Sequence, residues 1–166
     1  MKRILSITAI LALTLSGCDD QSTGAGETEK PEKTTTSIDI GGGLSISNPR
    51  VRVLPGGGPA AGYLRLRNDG TETVRLTAVD SPAFANAMLH RSVEQDGEWS
   101  MRPVEGALEI APGEALVFEP HGLHLMLMQP RATLKPGGGL TITLQFADGA
   151  AREVEFDTVG VMEEPR

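Results

Sequence analysis

HRSVEQDGEWSMRPVEGALEIAPGEALVFEPHGLHLMLM, residues 90–128, is a series of short apolar segments separated by turn residues. Its last six residues alternate strictly. Leu123, Leu125 and Leu127 point one way and His124, Met126 and Met128 the other, as in a strand with one face in a core. Further back, Ala87–Val93 and Trp99–Val104 flank Gln95-Asp96-Gly97-Glu98, and Asp-Gly between two strand-like runs predicts a two-residue hairpin. With Asp96 and Gly97 at its tip, Ser92 lies opposite Met101, which makes His90 the diagonal neighbour of Met101 on the same face. Leu108–Ile110, a turn at Ala111–Glu114 and Ala115–Phe118 read as the next pair. Glu119-Pro120-His121-Gly122 is the loop that feeds the alternating strand.

The same grammar extends outward. Leu44–Ser47 is ended by Asn48-Pro49, and Arg50–Leu54 precedes a glycine-rich loop, Pro55–Pro59. Gly62–Asn68 alternates, with Leu64 and Leu66 inward and Tyr63, Arg65 and Arg67 on a wet face. Asn68-Asp69-Gly70 then turns the chain into a return strand through Val74, Leu76 and Ala78. Leu140–Phe146 and Arg152–Phe156, joined around Asp148-Gly149, form a closing hairpin. Eight or nine short strands, twenty glycines, eleven prolines and no amphipathic helix predict an all-β, Greek-key sandwich or barrel. With 166 residues, 39% of them hydrophobic, the chain has room for one such domain, placed at 44–160 with a tail at 161–166.

Residues 1–17 have the build of a secretory signal: Lys2 and Arg3, an apolar run from Ile4 to Leu15, then small residues. Leu15-Ser16-Gly17-Cys18 resembles the bacterial lipobox, which implies lipidation of Cys18 and a membrane anchor. Asp19 after the cysteine resembles the signal for retention in the inner membrane, so the expected location is the periplasmic side of that membrane. Cys18 is the single cysteine, and once lipidated it leaves the domain without a thiol for a disulfide, a nucleophile or a blue-copper centre. Residues 18–43 read as a lipidated cysteine and a flexible linker, because Asp19 to about Ser37 has too little apolar content to order itself. Without Lys2 and Arg3, 13 of the 15 basic residues face 22 acidic ones, a net charge of −9. With no cationic cluster, nucleic acid is not an expected partner.

The residues that carry chemistry are His90, Met101, His124 and Met126. Singly, a methionine in a strand is ordinary core filler and a histidine an ordinary hydrogen-bonding residue. Together on one hairpin face and one strand face they match copper(I), a soft ion that accepts thioether sulfur where zinc, calcium and magnesium do not. All four ligands are neutral, so protons compete only at the imidazoles. Met88 and Met128 share parity with the set and are assigned to the core. His121 is an exposed loop residue and the first substitute should His124 be displaced. Trp99 shares a face with Met101, either shielding a metal or packing across strands. No nucleophile with a base, no paired carboxylates and no phosphate-binding loop is present, so an enzyme is not expected.

These residues resemble the PCuAC family of periplasmic copper chaperones, whose pattern is a His, ten residues, a Met, about twenty-one residues, then His-x-Met. Here His90, Met101 and His124-Leu125-Met126 fill it. Ile46–Pro49, Pro55–Asn68, Met101–Val104, Pro120–Met128 and the final hairpin extend the likeness over roughly 44–159. The resemblance implies a cupredoxin-like sandwich, His90, Met101, His124 and Met126 as Cu(I) ligands, and delivery to the copper A centre of cytochrome c oxidase subunit II, often alongside Sco-type thiol proteins. Copper buffering is the alternative within that reading, and an interaction lipoprotein with structural Met and His the alternative outside it. One departure stands out: twenty-two residues separate Met101 from His124. Absorbed in a turn, the extra residue is harmless. A bulge beside His124 would flip its side chain to the other face.

Overall fold

Alternation decides which side of each strand is buried, and long-range pairing decides which strands meet. The computed structural model describes residues 36–161. Its elements are β1 (Ser37–Gly41), β2 (Leu44–Arg52), β3 (Ala60–Asn68), β4 (Val74–Asp80), β5 (Phe84–Gln95), β6 (Glu98–Pro103), β7 (Leu108–Ile110), β8 (Ala115–Phe118), β9 (Leu123–Pro130), β10 (Gly139–Phe146) and β11 (Ala151–Val159). The signal segment, Cys18, most of the linker and residues 162–166 of the tail lie outside the described residues.

The strands form one sheet in the order β6-β5-β9-β8-β3-β2-β11-β10-β4-β7, with β1 added beside β2. Most neighbouring pairs are antiparallel, but β11 runs parallel to β2 and β8 to β9. Along one edge β3 takes β9 first, with Ala61 opposite Met126, and then β8, with Leu66 opposite Leu116. The sheet closes on a single core, because Leu89, Leu125 and Leu127 from one end share it with Leu76, Ile142, Leu144 and Phe156 from the other. Each such side chain contributes on the order of 1.5–3 kcal/mol by leaving water. The expected all-β sandwich is the fold found, with eleven strands among the described residues.

Several local expectations need correction. Ser37–Gly41, read as the end of the linker, is a strand paired with Ser47–Leu44, so the folded unit begins before residue 44. Asn48-Pro49 does not end a strand. It forms a bulge inside β2, where the register shifts and Asn48 takes φ +53°, a place that tolerates proline's missing N–H. The strand after Asn68 does not return along β3, since β4 pairs with β10 and β7. Likewise β7 and β8 pair with β4 and β3, not with each other. Turn residues specify that a chain reverses, not which edge it then joins. The hairpins at Asp96-Gly97 and Asp148-Gly149 stand as expected, with Ser92 opposite Met101 and Gln145 opposite Ala151.

Candidate metal centre

The candidate residues lie on the face of β6, β5 and β9 turned away from the core. Leu123, Leu125 and Leu127 enter the core, which leaves His124, Met126 and Met128 outward. β5 pairs with β9 so that His90 lies opposite His124 and Met88 opposite Met126. On its other edge β5 pairs with β6, with Ser92 opposite Met101, so Met101 is the diagonal neighbour of His90. The β5–β9 register runs without a shift from Phe84 opposite Pro130 to Arg91 opposite Leu123. His124 therefore keeps its parity despite the extra residue before it, and all four candidates share one face.

The two imidazoles are prepared in a particular state. Their ring centroids are 6.0 Å apart, at an interplanar angle of 63°. His124 is 4% exposed, and its Nδ1 lies 3.2 Å from the Gly122 carbonyl oxygen. A carbonyl can only accept, so Nδ1 carries the proton and the lone pair is on Nε2. That Nε2 and the Nδ1 of His90 are both buried without a protein partner. Such orphaned groups forfeit about 1–3 kcal/mol each and call for an explanation, an unseen ion among them. Burial holds the His90 imidazole below its ordinary pKa of 6.5, and the neighbouring His124 lowers it further. A neutral imidazole is the form that binds a metal.

A cleft of about 470 Å³ opens onto this face, with Met101, His124 and Met126 in its lining together with Trp99, His121 and Tyr63. Met101 is 59% and Trp99 54% exposed, and the His121 ring packs against Trp99 at 4.9 Å between centroids. His90 is half-buried and does not itself line the cleft. Met88 and Met128 do not belong to the core as expected: neither is among the buried or core-packed residues. Met88 is exposed opposite Met126 and Met128 half-buried opposite Asn86. Tyr63, expected on a wet face, is 4% exposed. It lines the cleft with Arg52, whose guanidinium sits 5.8 Å from the tyrosine ring. Burial raises the Tyr63 phenol above its usual pKa, against the opposing pull of Arg52 and Arg50. Sequence spacing offered no sign of this wall, because β2 and β3 reach the site only through sheet pairing. Among the described residues no group of three or more His, Cys, Asp or Glu side chains could hold a metal, so the donor set available at the cleft is imidazole with thioether.

Residues 44–158 match the family described as "Putative lipoprotein LpqE-like". A protein of Leifsonia xyli subsp. xyli (strain CTCB07), "Putative lipoprotein Lxx21020", is 30% identical over 152 residues, covering 92% of this chain and 86% of the relative. Solved structures share the fold, two of them as follows. One is the apo PCuAC domain from PmoF1, with TM-score 0.62 and 22% identity over 78% of this chain and 100% of that one. The other is the solution structure of CuI-DR1885 from Deinococcus radiodurans, with TM-score 0.58 and 24% identity over 82% of this chain and 87% of that one. The sandwich described above is thus the cupredoxin-like fold of PCuAC domains.

Proposed function

The chain belongs to the LpqE-like lipoprotein family, and from that premise and the geometry of its His–Met face we propose that it is a lipid-anchored carrier of copper(I). One observation carries this reading: two buried imidazole nitrogens without partners, on facing strands, beside two thioethers on the same face. His90 through Nδ1, His124 through Nε2, and the sulfurs of Met101 and Met126 hold the ion. Gly122 fixes His124 in the required tautomer, a role that outer hydrogen bonds commonly play for metal-binding histidines. The copper-loaded relative from Deinococcus radiodurans has this fold, which supports the assignment.

The ligand set suits transport. Copper(I) is cargo here, bound by four neutral donors with no thiolate among them, so an acceptor presenting thiolates can draw it away. The soft sulfurs favour the reduced ion, so nothing needs to be oxidised in transfer. Lipidated Cys18 holds the domain at the extracytoplasmic face of a bacterial membrane, the inner membrane if sorting follows Asp19. There its acceptors are the copper A centre of cytochrome c oxidase subunit II or a Sco-type thiol protein. The chain acts as a carrier and not as an enzyme.

The test is a competition titration against the Cu(I) chelator bicinchoninate, using the full chain with Cys18→Ser so that no thiolate competes. One equivalent bound by this parent, with affinity reduced at least about tenfold (1.4 kcal/mol) in His124→Ala and Met101→Ala, is the expected result. A parent that fails to compete with the chelator ends the reading. For delivery, the expected consequence of deletion is loss of oxidase activity under low copper, whereas intact oxidase with copper sensitivity would assign the protein to buffering.

A further inference from the structure

His121 occupies a left-handed backbone position, the region glycine suits best. The Gly122 N–H donates to the Glu119 carbonyl at 3.1 Å, closing a four-residue turn with Pro120 and His121 at its centre. Proline sets a negative φ, and His121 follows at φ +63°. That is the pattern of a type II turn, whose second central position suits glycine. A residue other than glycine is uncommon there, although histidine adopts the region more readily than most, and such a conformation is retained where the surrounding structure supports it. What it holds in place is an exposed ring against Trp99, on the lip of the cleft that Met101, His124 and Met126 also line.

The four inner residues are unequally accessible. His124 is nearly sealed and His90 is half-buried, whereas Met101 is open to solvent. Of the four candidates Met101 is the one exposed to solvent, so it is the donor an incoming or outgoing partner reaches first. Trp99 and Met101 are two residues apart on one face of β6, about 7 Å along the strand, and His121 covers Trp99. At about 470 Å³ the cleft exceeds what one ion needs, since a single water takes only about 30 Å³. Met101 thus has one imidazole, His90, as its diagonal neighbour on β5 and shares the cleft lining with another, His121.

We propose that Met101 and His121 form an outer copper(I) position at the mouth of the cleft, through which the ion passes to and from His90, His124 and Met126. This rests on the copper reading above. In the exchange the Met101 sulfur stays bonded, a lone pair on His121 replaces the inner donors, and the ion remains Cu(I) with no electron transferred. Because the outer position lies on the path and is not the resting site, its removal slows loading and release by the same factor and leaves the dissociation constant unchanged.

Stopped-flow measurement tests this, following Cu(I) loading of the Cys18→Ser chain and its release to bicinchoninate, beside His121→Gly and His121→Met. For His121→Gly both rates are expected to fall about tenfold, equivalent to about 1.4 kcal/mol of barrier, with equilibrium affinity within about twofold of the parent. His121→Met, which restores a soft donor, is expected to recover most of the rate. Glycine suits the turn, so a thermal midpoint at or above the parent's verifies that His121→Gly is folded. Unchanged rates overturn the proposal. So does a loss of affinity in His121→Gly, which would make His121 a resting ligand, or a slow rate that His121→Met fails to recover, which would assign the effect to turn shape. If the parent binds no Cu(I), the function reading falls and this one with it, an outcome distinct from tight binding with unaltered kinetics.

Discussion

At the scale of single residues the site is a trade of stability for a donor pair. Among the described residues His124 Nε2 and His90 Nδ1 are buried without a hydrogen-bond partner, a cost that copper would repay under the proposed function. Replacing His124 by leucine removes one orphan and fills the same space with apolar atoms. The metal-free His124→Leu variant is expected to gain about 1 kcal/mol in chemical denaturation while losing copper affinity, and an unchanged or lowered denaturation midpoint would refute it. His90 gives a pH signature. Its pKa is lowered in the fold by burial and by His124, so between that value and the ordinary 6.5 the unfolded chain holds more protons. Stability of the metal-free protein then rises with pH through the window below about 6.5 and gains nothing further from this residue above it. Urea midpoints measured from about pH 5 to pH 8 should show that slope in the wild type and a reduced one in His90→Ala.

Among the elements, β9 carries two of the four candidate donors, so whatever fixes β9 fixes the candidate site. Its hydrogen-bonded neighbour β3 contributes Gly62 opposite Leu125. A Cβ at residue 62 would meet Leu125 side-chain carbons at 3.0–3.2 Å, closer than packed carbons normally approach. Gly62→Val must push β9 away from β3, with Met126 opposite the adjacent Ala61. A loss of about 2–3 kcal/mol in stability is expected, together with weaker Cu(I) binding, although residue 62 offers no ligand. Denaturation and chelator competition on the same variant check both halves, and intact affinity in the destabilised protein would show that β9 is positioned from β5 alone. The β5–β6 hairpin was legible from Asp96-Gly97 and the alternation around it. The partners of β4, β7 and β8 were not, because their turns say nothing about which distant edge each strand covers.

For the molecule as a whole, the proposed function couples a copper site to a membrane anchor, and the two are separable. Cys18→Ser is expected to move the protein from the membrane to the soluble fraction without altering the copper affinity of its domain. Fractionation with immunoblotting, alongside chelator competition, measures each part, and retention of the variant in the membrane would refute the lipid anchor.

The sequence alone determined the fold class and the composition of the candidate donor set. Both rest on local rules: a period of two selects faces, Asp-Gly selects the hairpin, and thioether with imidazole selects a soft ion. Whether His90, Met101, His124 and Met126 share one face depended on how the twenty-two residues after Met101 were absorbed, and only the unbroken β5–β9 register decided it. Tertiary structure alone also brought Tyr63 and Arg52 to the cleft, turned Met88 and Met128 out of the core, and set His121 over Trp99. These are contacts between strands far apart in the chain. They are fixed by which edges bury the most apolar surface when the whole sheet closes, a sum over the molecule that no local stretch contains.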